Sequence, residues 1–106
     1  MPKYLIQASY TPEGVKGLLK DGGSKRRAAA AAAGKGLGGN LEVFYFAFGD
    51  TDVFAIADAP DNLSAAAVSL AVTASGAVHA KTTVLLTPEE MDQAAKKTVS
   101  YRPPGA

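Results

Sequence analysis

Leu41-Glu42-Val43-Phe44-Tyr45-Phe46-Ala47-Phe48, then Gly49-Asp50-Thr51-Asp52, then Val53-Phe54-Ala55-Ile56-Ala57-Asp58 decide the fold. Two apolar runs flanking a Gly-Asp turn read as a hairpin. A strand with one face in water alternates apolar and polar residues, yet strand two carries Val43, Tyr45 and Ala47 on one side and Phe44, Phe46 and Phe48 on the other. Both faces of such a hairpin need cover. In a chain of 106 residues the pattern predicts that the second cover is another copy of the chain. It speaks to architecture and assembly and names no reaction.

The remaining composition sets limits. The expectation is a single domain over residues 1–106, with an extended tail at 100–106, since this length buries a core without staples. Lys and Arg number 11 against 10 Asp and Glu, so no global field recruits nucleic acid or an anionic membrane. The absence of cysteine removes disulfides, thiolate catalysis and thiolate metal sites. Met1-Pro2-Lys3-Tyr4-Leu5-Ile6-Gln7 has no apolar leader core, and no run approaches the roughly 20 apolar residues of a membrane span. A soluble, cytoplasmic protein is expected.

Outward from the hairpin, Tyr4 to Tyr10 reads as a strand ending at Thr11-Pro12-Glu13, where Thr caps a helix and Pro suits its first turn. Lys20-Asp21-Gly22-Gly23-Ser24 interrupts that helix, and Ser24 is the expected cap of a second segment through Lys25-Arg26-Arg27 and the alanines 28–33. Alanine is the strongest helix former, and its small side chain lets a helix lie close to a sheet. The glycines from Gly34 to Gly39 end the segment. Asp61 or Asn62 caps a helix over Leu63–Ala74, Ala77 to Leu86 reads as a fourth strand, and Thr87-Pro88-Glu89-Glu90 opens a short helix with a favourable dipole. The order predicts an α+β, ferredoxin-like βαββαβ domain with an additional C-terminal helix, both crossover helices on one sheet face and the other face open for assembly.

Gly49-Asp50-Thr51-Asp52-Val53, Ile56-Ala57-Asp58-Ala59-Pro60-Asp61-Asn62, Ser75-Gly76-Ala77-Val78, Lys81-Thr82-Thr83 and Thr87-Pro88-Glu89-Glu90 together resemble the GYD domain family. These are small bacterial proteins related to the dimeric α/β barrels, and the resemblance spans nearly the whole chain. It implies a ferredoxin-like fold and a homo-oligomer, and it supplies no chemistry. The signature is Gly-x-Tyr-Asp: Gly49 and Asp52 match, and Thr51 stands in the place of the Tyr.

Period-two geometry lists the open face. Leu5, Gln7 and Ser9 oppose Tyr4, Ile6, Ala8 and Tyr10, and His79, Lys81, Thr83 and Leu85 oppose Val78, Ala80, Thr82 and Val84. If the more polar sides coincide, Gln7, Ser9, His79 and Lys81 line a space between the sheet and its partner, with Tyr45 as an aromatic wall. Barrels similar to this family keep small-molecule sites there. His79 is the single histidine and so the candidate for proton transfer, although a lone His is more often a bystander. Lys81 suits an anionic ligand, although a Lys near a sheet edge commonly guards against aggregation.

Other features take their plainer readings. Asp50, Asp52, Asp58 and Asp61 fit turns and caps, without the spacing of a calcium loop, so no metal is expected. Lys25-Arg26-Arg27 stands in the first turns of a helix, where cations oppose the dipole unless an anion approaches. A solvated basic patch is the first reading and a phosphate or carboxylate site the second. Gly34-Lys35-Gly36-Leu37-Gly38-Gly39 follows a helix instead of opening one, so it ends a helix and cradles no phosphate.

The leading expectation is an oligomeric, non-catalytic module holding a small apolar or weakly anionic ligand between subunits, without a cofactor. The alternative is a cofactor-independent enzyme of the dimeric α/β barrel type, with His79 as acid or base and Lys81 holding an anionic substrate.

Overall fold

The computed structural model describes residues 1–106. Four strands, β1 (Lys3–Tyr10), β2 (Asn40–Phe46), β3 (Val53–Asp58) and β4 (Val78–Leu85), form one sheet in the order β2-β3-β1-β4. All three pairings are antiparallel. Helices α1 (Pro12–Asp21) and α2 (Gly23–Gly36) link β1 to β2, α3 (Asn62–Ala74) links β3 to β4, and α4 (Pro88–Ala95) follows the sheet. This is the α+β, ferredoxin-like order with one extra C-terminal helix. No helix is long and apolar enough to cross a membrane.

Local chemistry explains the joints. Thr11 accepts the Gly14 amide at 3.2 Å, its own hydroxyl donates to the Gly76 carbonyl, and Pro12 opens α1. Asp61 accepts the Ser64 amide at 2.8 Å to start α3. Thr87 and Glu90 complete a reciprocal capping box on α4. The break before α2 differs from expectation: the cap position is Gly22, with no side-chain cap bond, and Ser24 already lies inside the helix. Gly22 takes φ 84°, the left-handed region that glycine enters without a Cβ penalty, so backbone geometry sets the break and leaves no capping role for the Ser hydroxyl.

Strand β2 also departs from its expected extent. It ends at Phe46, Phe48 stands wholly exposed in the connecting loop, and a bulge between Leu41 and Val43 leaves Glu42 as the extra residue. After the bulge the alternation is regular, and Phe44 and Phe46 meet edge to face at 5.3 Å between ring centroids.

The helices α2 and α3 cover one sheet face. Ala8, Val53, Ala55 and Val78 form its buried centre, with Ile6, Tyr10, Leu41, Phe44 and Val72 packed around them. Tyr4 is buried and donates from its hydroxyl to Asn62 Oδ1 at 2.6 Å, fixing the start of α3 to β1. Gly14 allows α1 to meet the chain before β4, since a Cβ there would sit 2.0 Å from the Ala77 carbonyl oxygen. The many alanines on this side leave space: a cavity of about 220 Å³ separates the two helices from the sheet.

Beyond β4 the chain leaves the body. Every residue from Pro88 to Ala106 is exposed, and the molecule is drawn out to 56 × 33 × 22 Å. Its Cα radius of gyration, 16.8 Å, exceeds the roughly 13 Å of a compact chain of this length. The tail after α4 is non-helical, as its prolines dictate.

Candidate functional site

Side chains on the sheet face away from α2 and α3 fall into rows set by the register. Gln7 stands between Phe54 on β3 and Lys81 on β4, and Tyr45 on β2 extends that row beyond Phe54. The next row runs Val43, Ile56, Leu5, Thr83, and on the other side Ser9 stands opposite His79. The face is therefore divided. Its β2–β3 half is apolar, with Tyr45 68% and Phe54 41% exposed, and its β1–β4 half is polar, with His79 and Lys81 both exposed.

Four of the five candidate residues are neighbours: Gln7, Ser9, His79 and Lys81 occupy two adjacent rows across one strand pair. Tyr45 is apart. Two strand spacings separate it from Gln7, about 10 Å at ~4.8 Å each, with Phe54 between them. Ser9 has a structural engagement, since its hydroxyl donates to the Asp50 carbonyl at 2.8 Å. No ion pair holds His79 or Lys81. A general acid or base needs a group to orient it and a concave site around its substrate, and one copy of the chain builds neither around His79. What the pair offers is an imidazole and an ammonium beside an exposed apolar surface.

The loop beside this cluster is held by Asp52. Its Oδ2 accepts the Tyr10 amide at 2.8 Å, its amide donates to the Ala8 carbonyl, and its carbonyl accepts from Ala47. Gly49 turns the chain at φ 136°, where a side chain would strain the backbone. Gly49 and Asp52 are thus architectural, closing the β2–β3 connection onto the end of β1. Sequence reading saw turn formers here, but the capture of the Tyr10 amide is a contact between residues 42 apart in the chain and has no local signal. Nor do the acidic residues gather elsewhere: no group of three His, Cys, Asp or Glu side chains could hold a metal ion.

At the other end of the face Lys3 binds both Glu42 and Asp58, the latter at 3.0 Å. The Glu42 bond, then the Asp58 bond, raise the Lys3 ammonium above its ordinary 10.5. Sequence reading missed this cluster, because the bulge that turns Glu42 toward Lys3 is legible only once β2 is paired.

Among known proteins, residues 4–95 match the family model described as the GYD domain. No curated protein and no solved structure gives a match.

Proposed function

The chain belongs to the GYD domain family, and from that premise we propose that it works as a self-associating binding module. Two copies bury their open sheet faces against each other and hold a small apolar or weakly anionic ligand in the space between them. The observation that carries this reading is the uncovered strip of Val43, Tyr45, Phe54 and Ile56, with Leu5 beside it. Soluble monomers rarely leave a contiguous apolar surface of more than a few hundred Å² in water. Lys81 and His79, with Gln7 between the apolar strip and Lys81, supply the polar end of the site.

The C-terminal segment adds a second contact. Tyr101 is 71% exposed, and a Tyr ahead of Pro103-Pro104 gives a stiff segment an anchor that docks on a neighbouring copy at small entropic cost. Light scattering at micromolar concentration tests the assembly: a multiple of the 10.8 kDa chain mass is expected, and the chain mass itself overturns it. Titration of benzoate against isotopically labelled protein then tests the site, with shifts expected at Gln7, His79 and Lys81. The enzymatic reading, with His79 as acid or base, rests on the same cluster and stands second, because Ser9 is already engaged and nothing orients the ring.

A further inference from the structure

The cavity on the covered face lies on the other side of the sheet from the site proposed above. Small side chains line it from both layers: Ala30 and Ala33 on α2, Ala65 on α3, and Ala55, Ala57 and Ala80 on the sheet. Larger residues at these positions would fill the layer. Alanine opposite alanine leaves about 220 Å³, lined almost wholly by apolar atoms. The cavity opens to solvent past Ala33, Leu37 and Pro60, which are exposed; an apolar cavity of about 150 Å³ accepts benzene, so this volume suits a chain of roughly eight carbons that enters from that mouth.

Two charged residues border the apolar lining: Asp58 at the end of β3, whose carboxylate is held by Lys3 at 3.0 Å, and Arg26 from the helix layer. Arg26 shares the inward face of α2 with Ala30, Ala33 and Leu37, and it lines both this cavity and the groove beyond it, where Tyr10, Val72 and Val78 border both spaces. Its neighbours Lys25 and Arg27 are exposed, whereas Arg26 is half-buried. It has no carboxylate within ion-pair distance, although Glu13 and Asp21 also line the groove. A guanidinium stays charged at all working pH values, and partial burial without a partner is costly. Its fixed fork of donors matches a carboxylate. It also stands in the first turns of α2, whose cap position offers no side-chain acceptor, so the helix dipole adds to the attraction for an anion.

We propose that the cavity between the α2/α3 layer and the sheet binds a medium-chain aliphatic carboxylate, its chain among the alanines and its head group on Arg26. This site is independent of self-association, and it gives one residue of the Lys25-Arg26-Arg27 run a role that the other two do not share.

Octanoate and 1-octanol, titrated separately into the full chain by calorimetry with parallel methyl NMR, test it. Octanoate is expected to bind one per chain and at least tenfold more tightly than octanol, moving the methyl signals of Ile6, Val68 and Val72 and leaving Val43 and Ile56 on the open face unmoved. Arg26→Met is expected to remove the tenfold preference while keeping octanol binding. Ala30→Leu, from a half-buried position that faces the cavity, is expected to abolish binding of both, and Ala65→Leu on α3 serves the same end should the first variant not fold. Equal binding of the two probes, shifts confined to the open face, full octanoate affinity in Arg26→Met, or no saturable octanoate binding would each overturn the proposal.

Discussion

The two faces of the sheet differ in a direction opposite to simple expectation: β3 turns Val53, Ala55 and Ala57 toward the helices and Phe54 and Ile56 away from them. On this central strand the covered side carries the smaller side chains and the uncovered side the larger. Small residues under the helices let backbones approach, as at Gly14, but leave a hollow where approach is incomplete. Large apolar residues on the bare face bring their full area to whatever covers them. The side chains that form the core and the apolar ones left uncovered thus stand on opposite sides of the same strands.

The sharpest break of that division uses adjacent residues. Ala55→Glu puts an unpaired charge at a position 3% exposed, and it should cost about 4 kcal/mol or more, enough to unfold the chain in thermal or urea melts. Phe54→Glu, one residue along on the other face, should leave the circular dichroism spectrum and melting temperature of the single chain unchanged while reducing the scattering mass toward 10.8 kDa. If both variants unfold, or neither changes the mass, the two faces do not have separate roles.

Gly14→Ala comes next. Its Cβ would lie 2.0 Å from the Ala77 carbonyl oxygen and 2.9 Å from the Tyr10 ring, so α1 must retreat, at about 2–3 kcal/mol of overpacking. A urea midpoint equal to that of the parent would show that the close approach is dispensable. Tyr4→Phe removes the single hydroxyl bond to Asn62 and should cost about 1 kcal/mol, read in the same way. Deleting residues 100–106 should leave the melt of the folded body unchanged and weaken association several-fold.

The smallest expected effects are on pH dependence. The Ser64 amide, then the Ser64 side chain, hold the Asp61 carboxyl below its ordinary 3.8. A depressed folded value means that this cap supports folding above pH 3.8 and that its support fades as pH falls through the folded value. Asp61→Asn should therefore flatten the acid limb of stability. Lys3 works in the opposite sense: with its folded value raised, its contribution is complete below 10.5 and fades as pH rises through that folded value. Lys3→Met should flatten the alkaline limb, as measured by urea midpoints between neutral and strongly alkaline pH.

Much of this fold was legible because its joints are local. Thr11-Pro12, Asp61 and Thr87-Pro88-Glu89-Glu90 each bind amides within three residues, so short stretches carry the whole signal. The open face was legible in part: parity pairs Gln7 with Ser9 and His79 with Lys81 within their strands, and the β1–β4 register then brings the two pairs onto one side. What escaped depends on pairing partners far along the chain. The shortening of β2 at Phe46, the grip of Asp52 on Tyr10 and the bond from Ser9 to Asp50 all need the sheet to be assembled first. The run Lys25-Arg26-Arg27 was legible as a basic patch or an anion site, but nothing local distinguishes the one cation that turns inward, and the hollow it borders exists only where alanines from separate elements meet.

The bulge at Glu42 has a consequence for the edge of the sheet. Strand β2 is an edge of the sheet, and a straight edge is a template onto which further strands can zip without limit, as in fibres. An extra residue in the strand bends it and disturbs the even spacing of its outward-facing amides and carbonyls, so a newcomer cannot pair evenly across the bulge. The one additional residue thus makes β2 a poorer template for edge-to-edge pairing than a straight strand of the same length.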